Sequence, residues 1–162
     1  MTVPMLRTFR FDASDQRVFE RAAEPGEWAV PGGFVFAGDS EATLTGKRRQ
    51  AFRSGFLGLH SFGWSSFAIV AEIEDSEFEG LIELLADRFV REFGAPDLAA
   101  ARPVARAELA FARDLCCHPR NTVLVVEREF SPDGVRERFR TLRPGSDPLH
   151  ARIWEIVEEA DR

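Results

Sequence analysis

Residues 122–142 read TVLVVEREF, then Ser131-Pro132-Asp133-Gly134, then VRERFRTL. Two strand-like runs joined by so short a turn return antiparallel. Charge selects the register. If Phe130 faces Val135, then Glu129 faces Arg136, Arg128 faces Glu137 and Glu127 faces Arg138, so all three opposed pairs are complementary. Each such pair contributes on the order of a few tenths of a kcal/mol. The same register sets Val126 opposite Phe139, which makes one face of the hairpin core.

The rest of the chain alternates helix and strand signals. Phe78, Leu81, Ile82, Leu85, Phe89 and Phe93 recur at helical spacing behind a Ser76/Glu79 capping-box pair, with Gly94 and Pro96 as the stop. Asp97 predicts the cap of a second helix with Leu98, Ala101, Ala105, Leu109, Ala112 and Leu115 inward; Pro103 within it predicts a kink or a late start. Asp39 and Ser40 predict a helix from near Glu41, with Leu44, Ala51, Phe52 and Phe56 on one side and Gly55 and Gly58 at its end. Asp147 predicts a last helix through Leu149, Ile153, Ile156, Val157 and Ala160. Strands are expected at 5–11, 16–21 and 64–73. Glu24-Pro25-Gly26-Glu27 has the spacing of a type II turn. Trp28, Val30, Phe34 and Phe36 are evenly spaced, but Pro31-Gly32-Gly33 interrupts them and predicts a bulge, an edge strand or two short strands. The pattern is α+β: an antiparallel or mixed sheet with about four helices packed against it. A single domain is expected over 1–145, with a C-terminal helix at 146–162 packed on it or extending from it.

Composition narrows the function classes. A net charge of −6 opposes general phosphate-backbone binding, so nucleic acid is an unlikely partner. Twenty arginines against one lysine, with no tyrosine, follow from GC-rich coding, and their number alone does not point to an anionic ligand. The two cysteines, Cys116 and Cys117, are adjacent and poorly placed to bridge each other. No disulfide framework is expected, which suits a reducing, cytoplasmic setting. No apolar run approaches membrane-spanning length, and the N-terminus lacks a signal-peptide pattern.

The stretch LTGKRRQAFRSGFLGLHSFGWSSF, 44–67, concentrates charge, glycine and aromatic rings. Arg49 and Arg53, four apart, share a helix face that could bind carboxylate or phosphate through their planar forks; the alternative is a solvated outer face. The glycines match neither phosphate-loop spacing. His60 beside glycines suits a general base or ligand residue, but no partner is evident in the sequence. Trp64, and Trp28 within GEWAVPGGF, would line a pocket; the alternative is a core role for each. The expected ligand-binding set is therefore Trp28, Arg49, Arg53, His60 and Trp64. Cys116-Cys117-His118 lacks the CxxC spacing and second ligand pair of a zinc site, so no metal and no cofactor are expected. No complete catalytic constellation emerges, and whether the protein is an enzyme stays open.

FERAAEPGEWAVPGGF (19–34), LTGKRRQAFRSGFLGLHSFGWSSF (44–67), FGAPDLAAAR (93–102) and FRTLRP (139–144) resemble an uncharacterised family of small bacterial proteins of unknown function. The resemblance runs to about Pro144, and it transfers no activity and no catalytic residue. It implies an accessory role beside molybdenum-enzyme maturation and a biotin/lipoate ligase-like protein. With the aromatic-rich 52–67 segment, the expected function is a small cytoplasmic accessory or binding protein acting through a partner protein. The alternative is a small-molecule-binding protein or enzyme with an anion pocket lined by arginine and tryptophan. Exposed rings would also suit a homodimer.

Overall fold

The computed structural model describes residues 1–144 and 154–161. In chain order its elements are β1 (Thr2–Phe9), α1 (Asp15–Val18), β2 (Ala29–Val30), a 3-10 turn (Gly33–Phe36), α2 (Gly46–Ser54), β3 (Phe56–Gly58), β4 (Trp64–Ser65), β5 (Phe67–Glu74), α3 (Asp75–Glu92), α4 (Leu98–Asp114), β6 (Val123–Ser131), β7 (Gly134–Pro144) and β8 (Trp154–Asp161). An antiparallel sheet runs β1-β5-β6-β7-β8, and a smaller antiparallel sheet runs β2-β3-β4. The fold is α+β.

The β6–β7 register is the one charge selects: Phe130 pairs with Val135, Glu129 with Arg136, Arg128 with Glu137, Glu127 with Arg138 and Val126 with Phe139. Val126 and Phe139 are buried in the main core with Met5, Leu6, Val70, Ile73 and Leu124. Onto that core α3 turns Phe78, Leu81, Ile82, Leu85 and Phe89, and α4 turns Ala101, Ala105, Leu109 and Ala112. These are the apolar stripes read from the sequence except at their ends, where Phe93, just past α3, and Leu98, the first residue of α4, are exposed rather than inward; removing the rest from water is what holds both helices on the sheet. Asp97 caps α4 by accepting from the Ala100 N–H at 2.8 Å, and the helix starts at Leu98 and runs through Pro103 with no late start. Gly94 turns the chain at φ +78°.

Several local expectations fail for tertiary reasons. The Ser76/Glu79 capping box does not form; α3 starts at Asp75 without a side-chain cap. Its start is fixed by the sheet, since β5 runs straight into the helix and the Asp75 N–H donates to the Met1 carbonyl beside it, 3.1 Å. Residues 16–21 are not a strand. An Asp12–Ser14 turn leads into α1, and Asp15 is buried there, its carboxylate receiving the Ser66 N–H and, at 2.7 Å, the Ser66 hydroxyl. That contact also divides the 64–73 run into β4 and β5 at Ser66. The 34–36 stretch coils into a 3-10 turn after Gly32 adopts φ +82°. Asp39 and Ser40 close a turn with Thr43 instead of capping a helix at Glu41, so α2 begins at Gly46.

The C-terminal helix expected over 146–162 is corrected in its described part. Trp154–Asp161 is extended and pairs antiparallel with β7, Ala160 opposite Phe139 and Ile156 opposite Leu142. The same residues also carry a period of two, with Trp154, Ile156 and Ala160 at alternate positions. Isoleucine and valine favour strand, and the open edge of β7 offers the pairing. The remainder of that expectation, 145–153 and residue 162, lies outside the described residues.

Trp64 of β4 packs the small sheet against the end of α2 and the 3-10 turn. An added Cβ on Gly55 would lie 2.7 Å from the Trp64 ring and 2.8 Å from the Ala51 carbonyl, so the helix end and the indole touch only because residue 55 is glycine. Trp64 stacks on Phe36 at 5.1 Å, beside a second cluster of Phe19, Phe36, Leu44, Ala51 and Phe52.

Candidate functional site

Strand alternation puts Arg128 on the same face of β6 as Val126, two residues from the core. Its side chain is wholly buried. The guanidinium donates to Glu137 at 2.6 Å and to the Phe52 and Gly55 carbonyls at 2.9 and 3.0 Å, with a longer contact to Ala51 and a further bond to the Pro31 carbonyl. The Phe52 carbonyl belongs to the last turn of α2 and the Gly55 carbonyl lies just beyond it, at the end of the helix that carries partial negative charge. Arg128 thus caps α2 from another element and fastens it to β6.

That placement creates a cleft. β5 pairs with β6 through Ala68–Leu124 and Ile69–Val123, so among the described residues the rest of that β6 edge has no strand partner, and α2 lies against it. Between α2 and the hairpin is a space of about 650 Å³, lined on one side by Glu41, Arg49, Gln50 and Arg53 and on the other by Glu127, Glu129, Phe130, Arg136 and Arg138, with Phe52 and Arg128 between. A smaller space of about 330 Å³ meets it at Phe52 and Arg128.

The lining holds five arginines and three glutamates in a chain of net charge −6. Glu127 receives Arg140 at 2.9 Å, and Arg128 is paired with Glu137. Among the described residues, Arg49, Arg53 and Arg136 form no ion pair and no side-chain hydrogen bond, although Glu129 is the backbone partner of Arg136. Outside the cleft most guanidiniums are engaged: Arg48 with Asp39 at 2.6 Å, Arg102 with Glu83 at 2.7 Å, Arg106 with Glu79 at 3.3 Å. Phe130, half-buried, stacks on buried Phe52 with centroids 4.7 Å apart and planes 13° apart.

Of the five residues singled out by sequence, Arg49 and Arg53 line this cleft and the other three lie elsewhere. Trp28 is buried, with the Arg7 guanidinium 3.8 Å over its ring and its indole N–H donating to Glu77 at 2.8 Å. Trp64 sits in the seam between the small sheet and the second cluster. His60 is exposed on the turn after β3, where the Glu27 carboxylate receives the His60 and Ser61 N–H groups at 3.1 and 2.8 Å, the Ser61 hydroxyl at 2.7 Å and the Glu24 N–H at 2.6 Å. Glu27 therefore organises that turn, which ends on Phe62 at φ +57°, a conformation costly for an aromatic residue. The Phe62 ring meets Phe34 and Phe93 at 6.3 and 6.0 Å.

Cys116 is buried and donates to the Ala112 carbonyl at 3.4 Å; burial, with Cys117 beside it, pushes its thiol up to about 12. Cys117 is exposed, 3.8 Å from the His118 ring. No group of three or more His, Cys, Asp and Glu among the described residues is arranged to hold a metal ion. No helix among them is long and apolar enough to cross a membrane.

Sequence reasoning missed Arg128, Phe130, Arg136 and Arg138 as site residues. The signal for Arg128 was present in its alternation with Val126. For the others none was, because their meeting with α2 depends on the open edge of β6.

Residues 3–155 match the model of a family described as a family of unknown function, DUF6505, which carries the match past Pro144. No curated protein and no solved structure matches the chain.

Proposed function

The chain belongs to the DUF6505 family, and from that premise we propose that it is a ligand-binding protein whose α2/hairpin cleft takes an anionic small molecule. The observation that carries this reading is the set of guanidiniums Arg49, Arg53 and Arg136, which line one cleft and form no ion pair among the described residues, Glu129 being the cross-strand neighbour of Arg136. Like charges held together raise each other's energy, and an anion between them relieves it through charge-assisted hydrogen bonds. A positive cleft on a negative protein focuses anions from solution. Its volume lies within the roughly 300–1,000 Å³ of small-molecule sites. The test is thermal denaturation with a panel of carboxylates and phosphates, followed by titration calorimetry. A ligand at a hundredfold excess over its Kd adds about 2.7 kcal/mol of stability. Arg49→Ala/Arg53→Ala should abolish that gain. A panel that shifts nothing at millimolar concentration, or a shift that survives the double substitution, sinks the reading.

A second reading, a cytoplasmic accessory protein acting through a partner protein or as a homodimer, is favoured by a different surface. Phe34, Phe62 and Phe93 form one ring cluster, Phe93 is 39% exposed, and Phe62 sits at φ +57°. This reading takes in the place beside molybdenum-enzyme maturation that the resemblance implies. Sedimentation and native pull-down with Phe93→Glu test it: loss of an associated species supports the reading, and a monomer that retains no specific partner before or after substitution removes it.

A further inference from the structure

We infer that the anion taken by this cleft carries a planar aromatic group, its class being a mononucleotide or another phosphorylated heteroaromatic; this rests on the anion-binding reading of the same cleft. Phe130, the penultimate residue of β6, stands in a wall that is otherwise charged. Its ring lies flat against Phe52, which in turn meets Phe36 edge-on at 5.4 Å and 87°. Phe52 and Phe36 are 3% and 4% exposed, so the stack is anchored in the core. Phe130 is only half-buried and lines the cleft, which leaves ring surface for a ligand. A ring already fixed by its neighbours loses little freedom when a second ring stacks on it.

The charged groups fit the rest of such a molecule. Arg49 and Arg53, one helical turn apart, and Arg136 on the hairpin offer forked donors to phosphate oxygens. Glu129 and Glu41 also line the cleft; against a bare phosphate or a dicarboxylate they would only repel. Ribose hydroxyls or an exocyclic amino group give them something to accept. A polymer is disfavoured by the net charge of −6, since strand binding needs a continuous basic track.

The experiment is calorimetric titration of the full chain with AMP, GMP, CMP, UMP, flavin mononucleotide, pyridoxal 5′-phosphate, pyrophosphate, citrate and a single-stranded oligonucleotide. At least one phosphorylated aromatic should bind about tenfold more tightly than pyrophosphate, in the range stacking contributes. Phe130→Leu should remove that advantage and leave pyrophosphate binding unchanged. Phe130→Trp, which keeps the platform, should retain binding and show fluorescence quenching by the stacked ring, and it decides the matter if the leucine variant does not fold. If pyrophosphate or citrate binds as tightly as every aromatic probe, or Phe130→Leu changes nothing, the inference falls while the anion-binding reading stands. If no probe binds, both fall. If the oligonucleotide binds more tightly than any mononucleotide, the site is a strand-binding groove and the inference is overturned.

Discussion

Arg128 joins the Pro31 loop, the end of α2 and the hairpin from a position with no solvent exposure. Removing it alone takes the guanidinium from buried Glu137 and from the Phe52 and Gly55 carbonyls. Arg128→Met should therefore destabilise the protein by about 3–5 kcal/mol in urea denaturation, and Arg128→Met/Glu137→Leu by less, because the second change removes the carboxylate that had paired with the guanidinium. A double variant as unstable as the single would show that carbonyl capping dominates. The two cysteines allow a separate check. Cys116 has its thiol raised to about 12 by burial and its neighbour, so it stays protonated in the folded state while the unfolded thiol ionises near 9. Its contribution to stability is complete below pH 9 and is lost as pH climbs from there towards 12. Iodoacetamide at pH 8 should accordingly label Cys117 rapidly and Cys116 only after unfolding, as read by peptide mass spectrometry.

At the scale of elements, legibility followed the range of the forces involved. The α3 and α4 stripes, the Asp97 cap and the β6–β7 register are set by neighbours a turn or a strand apart, and each was readable. Asp97→Ala should cost about 1 kcal/mol. Where a short run could satisfy two patterns, a distant contact chose: Ser66 made Asp15 the start of a helix, Thr43 delayed α2, and the edge of β7 drew Trp154–Asp161 into strand. Gly55, expected as the end of a helix, also serves as a spacer against Trp64. Gly55→Ala drives a methyl to within 2.7 Å of Trp64 and should destabilise by roughly 1–3 kcal/mol, with a change in tryptophan emission.

For the whole molecule, the candidate site exists because two elements distant in sequence meet. The hairpin brings Phe130, Arg136 and Arg138; α2 brings Arg49 and Arg53; Arg128 holds them together. Because Arg49 and Arg53 carry no internal partner among the described residues, replacing both with alanine should change unliganded stability by no more than about 0.5 kcal/mol, while anion binding is lost. A large loss of stability without ligand would mark them as structural. The amino-acid sequence by itself determined the α+β class, the helix faces, the hairpin register and the pair of arginines on one face of α2, since all of these are written in local periodicity and in charges a few residues apart. Only the tertiary structure decided that Trp28, His60 and Trp64 lie outside the cleft lined by Arg49 and Arg53, and that Arg128 is the joint of that cleft. Those outcomes depend on which edge of β6 stays unpaired and which helix end is left without donors, quantities that no local pattern carries.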